Sequence, residues 1–101
     1  MHYVICYDLE NDRLRAKAAK TLAKHGCNRI QKSVFVAPAM VHKDLDRLRA
    51  DLLRLLEGKN LGAQEGILVI PLADELAQKS FAFGHNNILA EVAPMPLKII
   101  L

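Results

Sequence analysis

A short apolar run that ends in a carboxylate constrains this chain most. In Tyr3-Val4-Ile5-Cys6-Tyr7-Asp8, strand alternation puts Tyr3, Ile5 and Tyr7 on one face and Val4, Cys6 and Asp8 on the other. Both faces are largely apolar, so the strand over residues 2–8 must be covered on both sides. A polar turn follows, and then a helix. Asn11 or Asp12 can cap it; Leu14, Ala18 and Leu22, at i, i+4 and i+8, supply its core face; Gly26 after His25 stops it. Asp8 therefore sits where a strand ends and the backbone opens, with Arg13 and Arg15 a few residues away. Such a place suits a divalent metal held against a phosphate.

The rest of the chain supplies the other layers. Arg29 to Ala37 is strand-like and Pro38 stops it; it is either one bent strand or two short ones breaking near Lys32-Ser33. A second helix runs from about His42 to Glu57, with Leu45, Leu48, Leu52, Leu55 and Leu56 as its apolar stripe and Gly58 as its end. Residues 66–72 lack alternation, which predicts a strand buried on both sides, and Pro71 puts it at an edge or terminal position. Asp74 can cap a single helical turn through Lys79, and residues 97–101 read as a last strand. The order fits an α+β, ferredoxin-like βαββαβ sandwich with an extra C-terminal strand, a single domain over residues 1–101. Both helices then cover one face of the sheet. The apolar side chains of the other face predict a homodimer.

Composition narrows the class of protein. Half of the 101 residues are apolar, as in a globular domain, and no apolar run approaches the ~20 residues of a membrane span. Met1-His2-Tyr3-Val4 carries no export signal, so a cytoplasmic location is expected. Cys6 and Cys27 form no C-x-x-C pair, which argues against zinc or a redox couple. Charge is uneven: residues 1–60 hold twelve Lys/Arg against seven Asp/Glu, and residues 61–101 hold two against four. A basic first half points to an anionic partner, nucleic acid first, or simply to a lopsided solvated surface.

The first helix carries the sharpest pattern. Arg13, Lys17, Lys20 and Lys24 fall at i, i+4, i+7 and i+11, within one sector and with nothing acidic between them. The stripe is roughly 16 Å long at 1.5 Å per residue, enough for two or three backbone phosphates. It is either a phosphate track or a solvated lysine face. Arg15 turns toward the sheet near Asp8, where it either braces the turn by pairing with Asp8 or Glu10 or contacts a phosphate. Asp8 alone is a thin metal site, but two-fold symmetry would bring a second copy, and a metal-bound water could then attack a phosphodiester. His2, His25, His42 and His85 share no ligand spacing and read as surface histidines.

Residues 7–15 (YDLENDRLR), followed by residues 26–35 (GCNRIQKSVF), resemble the second CRISPR-associated protein family, the small adaptation subunit that partners the CRISPR integrase. The likeness covers about the first sixty residues. It implies a ferredoxin-like homodimer whose C-terminal extension, residues 80–101 here, packs on the partner subunit. It also implies a Mg²⁺ (or Mn²⁺) site built from the aspartate that closes strand one in each protomer, matching Asp8. Members are described as metal-dependent endonucleases acting on RNA or double-stranded DNA, and as a bridge between integrase dimers in spacer acquisition. By position, Tyr7, Asp8, Arg15, Arg29, Ser33 and Phe35 match residues used in or near that site. Asp8, Arg15, Arg29 and Ser33 are the implied catalytic set, with Tyr7 and Phe35 supporting. Lys32 stands where the family often has an aromatic residue, and Lys17 where arginine is common. The virulence-associated ribonuclease D toxins share the architecture but fit the first helix less well. A non-catalytic DNA-binding scaffold and a small-molecule regulatory module are the alternatives from other classes.

Overall fold

The computed structural model describes residues 1–83 and the backbone of residues 98–100. Strand β1 (His2–Asp8) leads through the turn at Leu9–Asn11 into helix α1 (Asp12–Lys24). Asn11 is the N-cap, its side-chain oxygen accepting the Leu14 N–H at 2.9 Å, and Asp12 falls in the first turn, where a negative charge suits the helix dipole. The helix stops at His25 because Gly26 takes φ +81°, a left-handed conformation that favours glycine. Strands β2 (Asn28–Gln31) and β3 (Val34–Ala37) follow, then helix α2 (His42–Leu56), then β4 (Gly66–Leu72). The strand-like segment is thus two strands, broken at the Lys32-Ser33 turn, with a register shift between Arg29 and Gln31.

The sheet order is β2-β3-β1-β4 with every neighbour antiparallel, the ferredoxin-like arrangement. β1 is central: Ile5 pairs with Phe35 on one side and Val69 on the other. Both helices press on one face. Ile5, Tyr7, Phe35 and Ala37 from the sheet meet Leu14, Ala18 and Leu22 from α1 and Leu48 and Leu52 from α2. Burying side chains of this size is worth about 1.5–3 kcal/mol each before entropy is charged against it.

The opposite face is only part covered. Helix α3 (Asp74–Ala77) lays Ala77 over Val36, with Ile30 and Leu72 beside them. Along β4, however, Leu68 and Ile70 remain 58% and 43% exposed. This corrects the expectation that residues 66–72 are buried on both sides. Ile67 and Val69 pack into the helix-side core, while Leu68 and Ile70 look out from the opposite face of an edge strand. Pro71 does lie at an edge. α3 is shorter than expected and begins after Ala73, with Asp74 as its first residue rather than its cap. A strand that the sequence does not announce, β5 (Phe81–Phe83), pairs in parallel with β6 (Lys98–Ile100). His85 and most of the segment expected to pack on a partner, residues 84–97 and 101, lie outside the described residues.

Candidate nucleic-acid and metal site at the end of strand β1

Asp8 closes β1 opposite Gly66 of β4, and alternation turns its carboxylate to the face that carries Val4 and Cys6, away from the helices. The side chain is exposed and makes no hydrogen bond or ion pair among the described residues. It lines a shallow depression of about 380 Å³ with Cys6, Ala63, Gln64, Glu65 and Leu68. Among the described residues no group of three or more His, Cys, Asp or Glu could hold a metal ion. Both oxygens of Glu65 accept backbone N–H groups, so of the two carboxylates lining the depression Asp8 is the uncommitted one among the described residues. Mg²⁺ is content with one or two carboxylates and several waters, so a symmetry-related Asp8 would complete a fitting donor set.

Tyr7, Arg29 and Phe35 form one cluster on the helix side of the same sheet end. The Tyr7 and Phe35 rings lie 6.2 Å apart at 31°, the Arg29 guanidinium sits 5.1 Å from the Phe35 centroid, and Arg29 Nη2 donates to the Tyr7 hydroxyl at 3.1 Å. A cation over an aromatic face gains about 0.5–1 kcal/mol at an exposed position, so Arg29 is held in place with donors to spare. Ser33 occupies the β2–β3 turn. Its carbonyl accepts the Tyr7 N–H at 3.1 Å and its hydroxyl has no partner among the described residues. The structure thus gathers Asp8, Ser33 and the Tyr7–Arg29–Phe35 cluster at one end of the sheet, with Asp8 and that cluster on opposite faces.

Arg15 has different partners from those expected. Its Nη1 donates to the carbonyls of Leu9 at 2.9 Å and Glu10 at 2.8 Å, and its Nη2 pairs with Asp12. Neither the Asp8 nor the Glu10 carboxylate is engaged. Asp12, three residues earlier on the same helix, lies within reach, while Asp8 points off the far face of the sheet. Arg13, Lys17, Lys20 and Lys24 are all exposed along α1, as their spacing requires. The first three make no ion pair among the described residues, whereas Lys24 lies in the field of Asp51. Arg13 and Lys17 also line a trough of about 560 Å³ with Lys59, Asn60, Glu10 and Glu65.

Three arrangements escape a reading of the sequence. Glu65 accepts the Glu10 N–H at 2.7 Å and the Gly62 N–H at 2.8 Å, and these bonds, the one from Glu10 foremost, lower its pKa. His25 is half-buried and meets Asp51 at 2.7 Å, a hydrogen bond that holds the Asp51 carboxyl below its usual range. His2 is 5% exposed, its Nδ1 accepting the Ala39 N–H at 3.0 Å and its Nε2 lying 2.8 Å from Asp74. His2 and His25 are therefore not surface histidines; each ties two distant elements together. His42 is exposed as expected. Only the turn-forming Gly62–Glu65 spacing could have hinted at any of the three.

Comparison with known proteins agrees with this architecture. Residues 1–79 match the family described as CRISPR associated protein Cas2. The chain is 34% identical over 84 residues to a CRISPR-associated endoribonuclease Cas2 of Korarchaeum cryptofilum, covering 83% of this chain and 85% of that one. It is 38% identical over 63 residues to CRISPR-associated endoribonuclease Cas2 2 of Pyrobaculum aerophilum, a match spanning 59% of this chain and 65% of the relative. A chain in the solved structure of a partial Cas6-RT-Cas1–Cas2 complex superposes with TM-score 0.66 at 26% identity, over 78% of this chain and 86% of that one. With the β2-β3-β1-β4 sheet and an aspartate closing its first strand, the chain belongs to the Cas2 family of CRISPR-associated proteins.

Proposed function

We propose that this protein is a homodimeric, Mg²⁺-dependent endonuclease that works with the CRISPR integrase in acquiring new spacers. The observation that carries the reading is the unpaired Asp8 carboxylate at the open end of β1, on the face where Leu68 and Ile70 lie uncovered. A second copy seated on that face removes the exposed apolar surface and brings a second Asp8 toward the first. When bound, the cation supplies Lewis acidity toward a phosphodiester. The protein's own groups do the rest. The Asp8 pair supplies negative charge and hard oxygens toward the cation, while the remaining donors of Arg29, on the other face of the same sheet end, and the Ser33 hydroxyl in the β2–β3 turn are placed for a neighbouring phosphate. Arg13, Lys17, Lys20 and Lys24 hold the flanking backbone. RNA is the favoured substrate because the relatives named above are endoribonucleases. Double-stranded DNA is the other class with the same phosphodiester chemistry.

A scaffold that binds DNA and the integrase without cleaving it is the second reading. It draws on the lack, among the described residues, of a group of three or more His, Cys, Asp or Glu that could hold a metal, and on the neighbour's place in a Cas1–Cas2 assembly. Asp8→Asn separates the two, measured as Mg²⁺-dependent cleavage of labelled RNA beside binding and sedimentation. Under the first reading the substitution abolishes cleavage and leaves binding and the dimer intact. Undiminished cleavage refutes the catalytic assignment.

A further inference from the structure

The peptide unit joining Leu9 to Glu10 is gripped at both ends by side chains of opposite charge. Arg15 Nη1 donates to its carbonyl, the Leu9 oxygen, at 2.9 Å, and Glu65 Oε1 accepts its amide, the Glu10 N–H, at 2.7 Å. Arg15 also takes the next carbonyl, that of Glu10, at 2.8 Å. Glu65 closes a bridge to the α2–β4 loop, since its other oxygen accepts the Gly62 N–H at 2.8 Å. Leu9 itself is anchored in the core at 2% exposure. Asp8 is therefore fixed from two directions, by its pairing with Gly66 in β4 and by a clamped peptide plane one residue on.

From this arrangement we infer that Glu65, acting with Arg15, is a positioning residue for the Asp8 carboxylate, an inference that rests on the metal-dependent reading above. Each carboxylate oxygen of Glu65 is engaged by a backbone N–H. Glu65 fixes the backbone on which Asp8 is carried, so that the Asp8 carboxylate need not search for its place when a cation arrives. The geometry is specific to a carboxylate of this length. A glutamine has one acceptor, so one of the two N–H groups would face an NH₂ donor instead. An aspartate is one methylene shorter and cannot span both loops. Arg15 is matched in the same way, because a lysine offers a point charge in place of a planar fork that reaches two carbonyls.

The test compares wild type, Glu65→Gln, Arg15→Lys and Asp8→Asn as full chains. Mg²⁺ binding is followed by calorimetry, amide exchange at Glu10 and Gly62 by NMR, and cleavage as a function of Mg²⁺. In Glu65→Gln, Mg²⁺ affinity should fall about tenfold, the scale on which groups that orient metal ligands act. Either the Glu10 or the Gly62 amide should lose protection. Dimerisation should not change, and binding of nucleic acid in EDTA should not weaken, since the substitution removes a negative charge beside Arg13 and Lys17. Arg15→Lys should shift Mg²⁺ affinity in the same direction. Unchanged Mg²⁺ affinity in Glu65→Gln, with wild-type binding intact and Asp8→Asn inactive, overturns the positioning role alone. A wild-type protein that neither binds Mg²⁺ nor cleaves overturns the metal-dependent reading and this role with it.

Discussion

Neutralising the α1 stripe should change how nucleic-acid binding responds to salt, by an amount the structure sets. Arg13, Lys17 and Lys20 are exposed and free of ion pairs among the described residues, so each can displace a counterion from a phosphate. From Arg13 to Lys20 the helix rises about 10 Å, which lets all three follow one run of backbone. Each phosphate neutralised on a B-form duplex contributes about 0.9 to the slope of log affinity against log salt, so the three contribute ~2.7. A fourfold rise in salt, from about 50 to 200 mM, then costs ~40-fold more in affinity for wild type than for a protein lacking the three charges. On single-stranded RNA the contribution is nearer ~2.1. The variant is Arg13→Gln/Lys17→Gln/Lys20→Gln, which removes the charges while keeping polar side chains of similar helix propensity. The assay is fluorescence anisotropy with a labelled duplex and a labelled RNA, in EDTA so that cleavage is silent. Lys24→Gln alone should have a smaller effect than Lys17→Gln, because Asp51 already offsets that charge. Parallel salt slopes for wild type and the triple variant would refute the reasoning and leave the stripe a solvated helix face.

Two further outcomes follow from the titrating groups. Asp51 is held below its usual pKa by His25, so its contribution to stability is present above the unfolded value near 3.8 and is lost as pH falls through the folded one. Denaturant midpoints of wild type and Asp51→Asn should therefore differ at pH 6 and converge in acid. Burial pushes the Cys27 thiol up to about 11, so at pH 8 it should react with a thiol reagent only on the timescale of unfolding, while half-buried Cys6 reacts sooner. Equal rates for both in the native protein would contradict the packing of Cys27 beneath α1.

Much of the fold was legible because its signals are local. Asn11 and Gly26 bracket α1 within a few residues of the helix they delimit, and the leucine stripe of α2 needs only its own period. The same holds for the Arg13–Lys24 stripe and for Asp8 at a strand end. What stayed hidden depends on partners far along the chain. That Leu68 and Ile70 stand uncovered follows from β4 being an edge strand, which its own residues do not state. Arg15 faces the turn as expected, yet its choice of carbonyls and Asp12 over Asp8 requires knowing which face Asp8 takes. Glu65 and Glu10 lie 55 residues apart in the sequence, and no periodicity links them. His2 looks like a terminal surface residue until the β3–α2 loop and α3 close over it.

The pairing of Asp8 with Gly66 also has a bearing on how the protein is made. The strand that pins Asp8, and Glu65 beside that strand, lie more than fifty residues further along the chain and so are synthesised well after the aspartate. Until then the nascent chain carries Asp8 without the neighbour that orders it. A growing chain interrupted in the α2–β4 loop would thus leave β1 unpaired along its β4 side, and the backbone beneath Asp8 would settle only once β4 has been added.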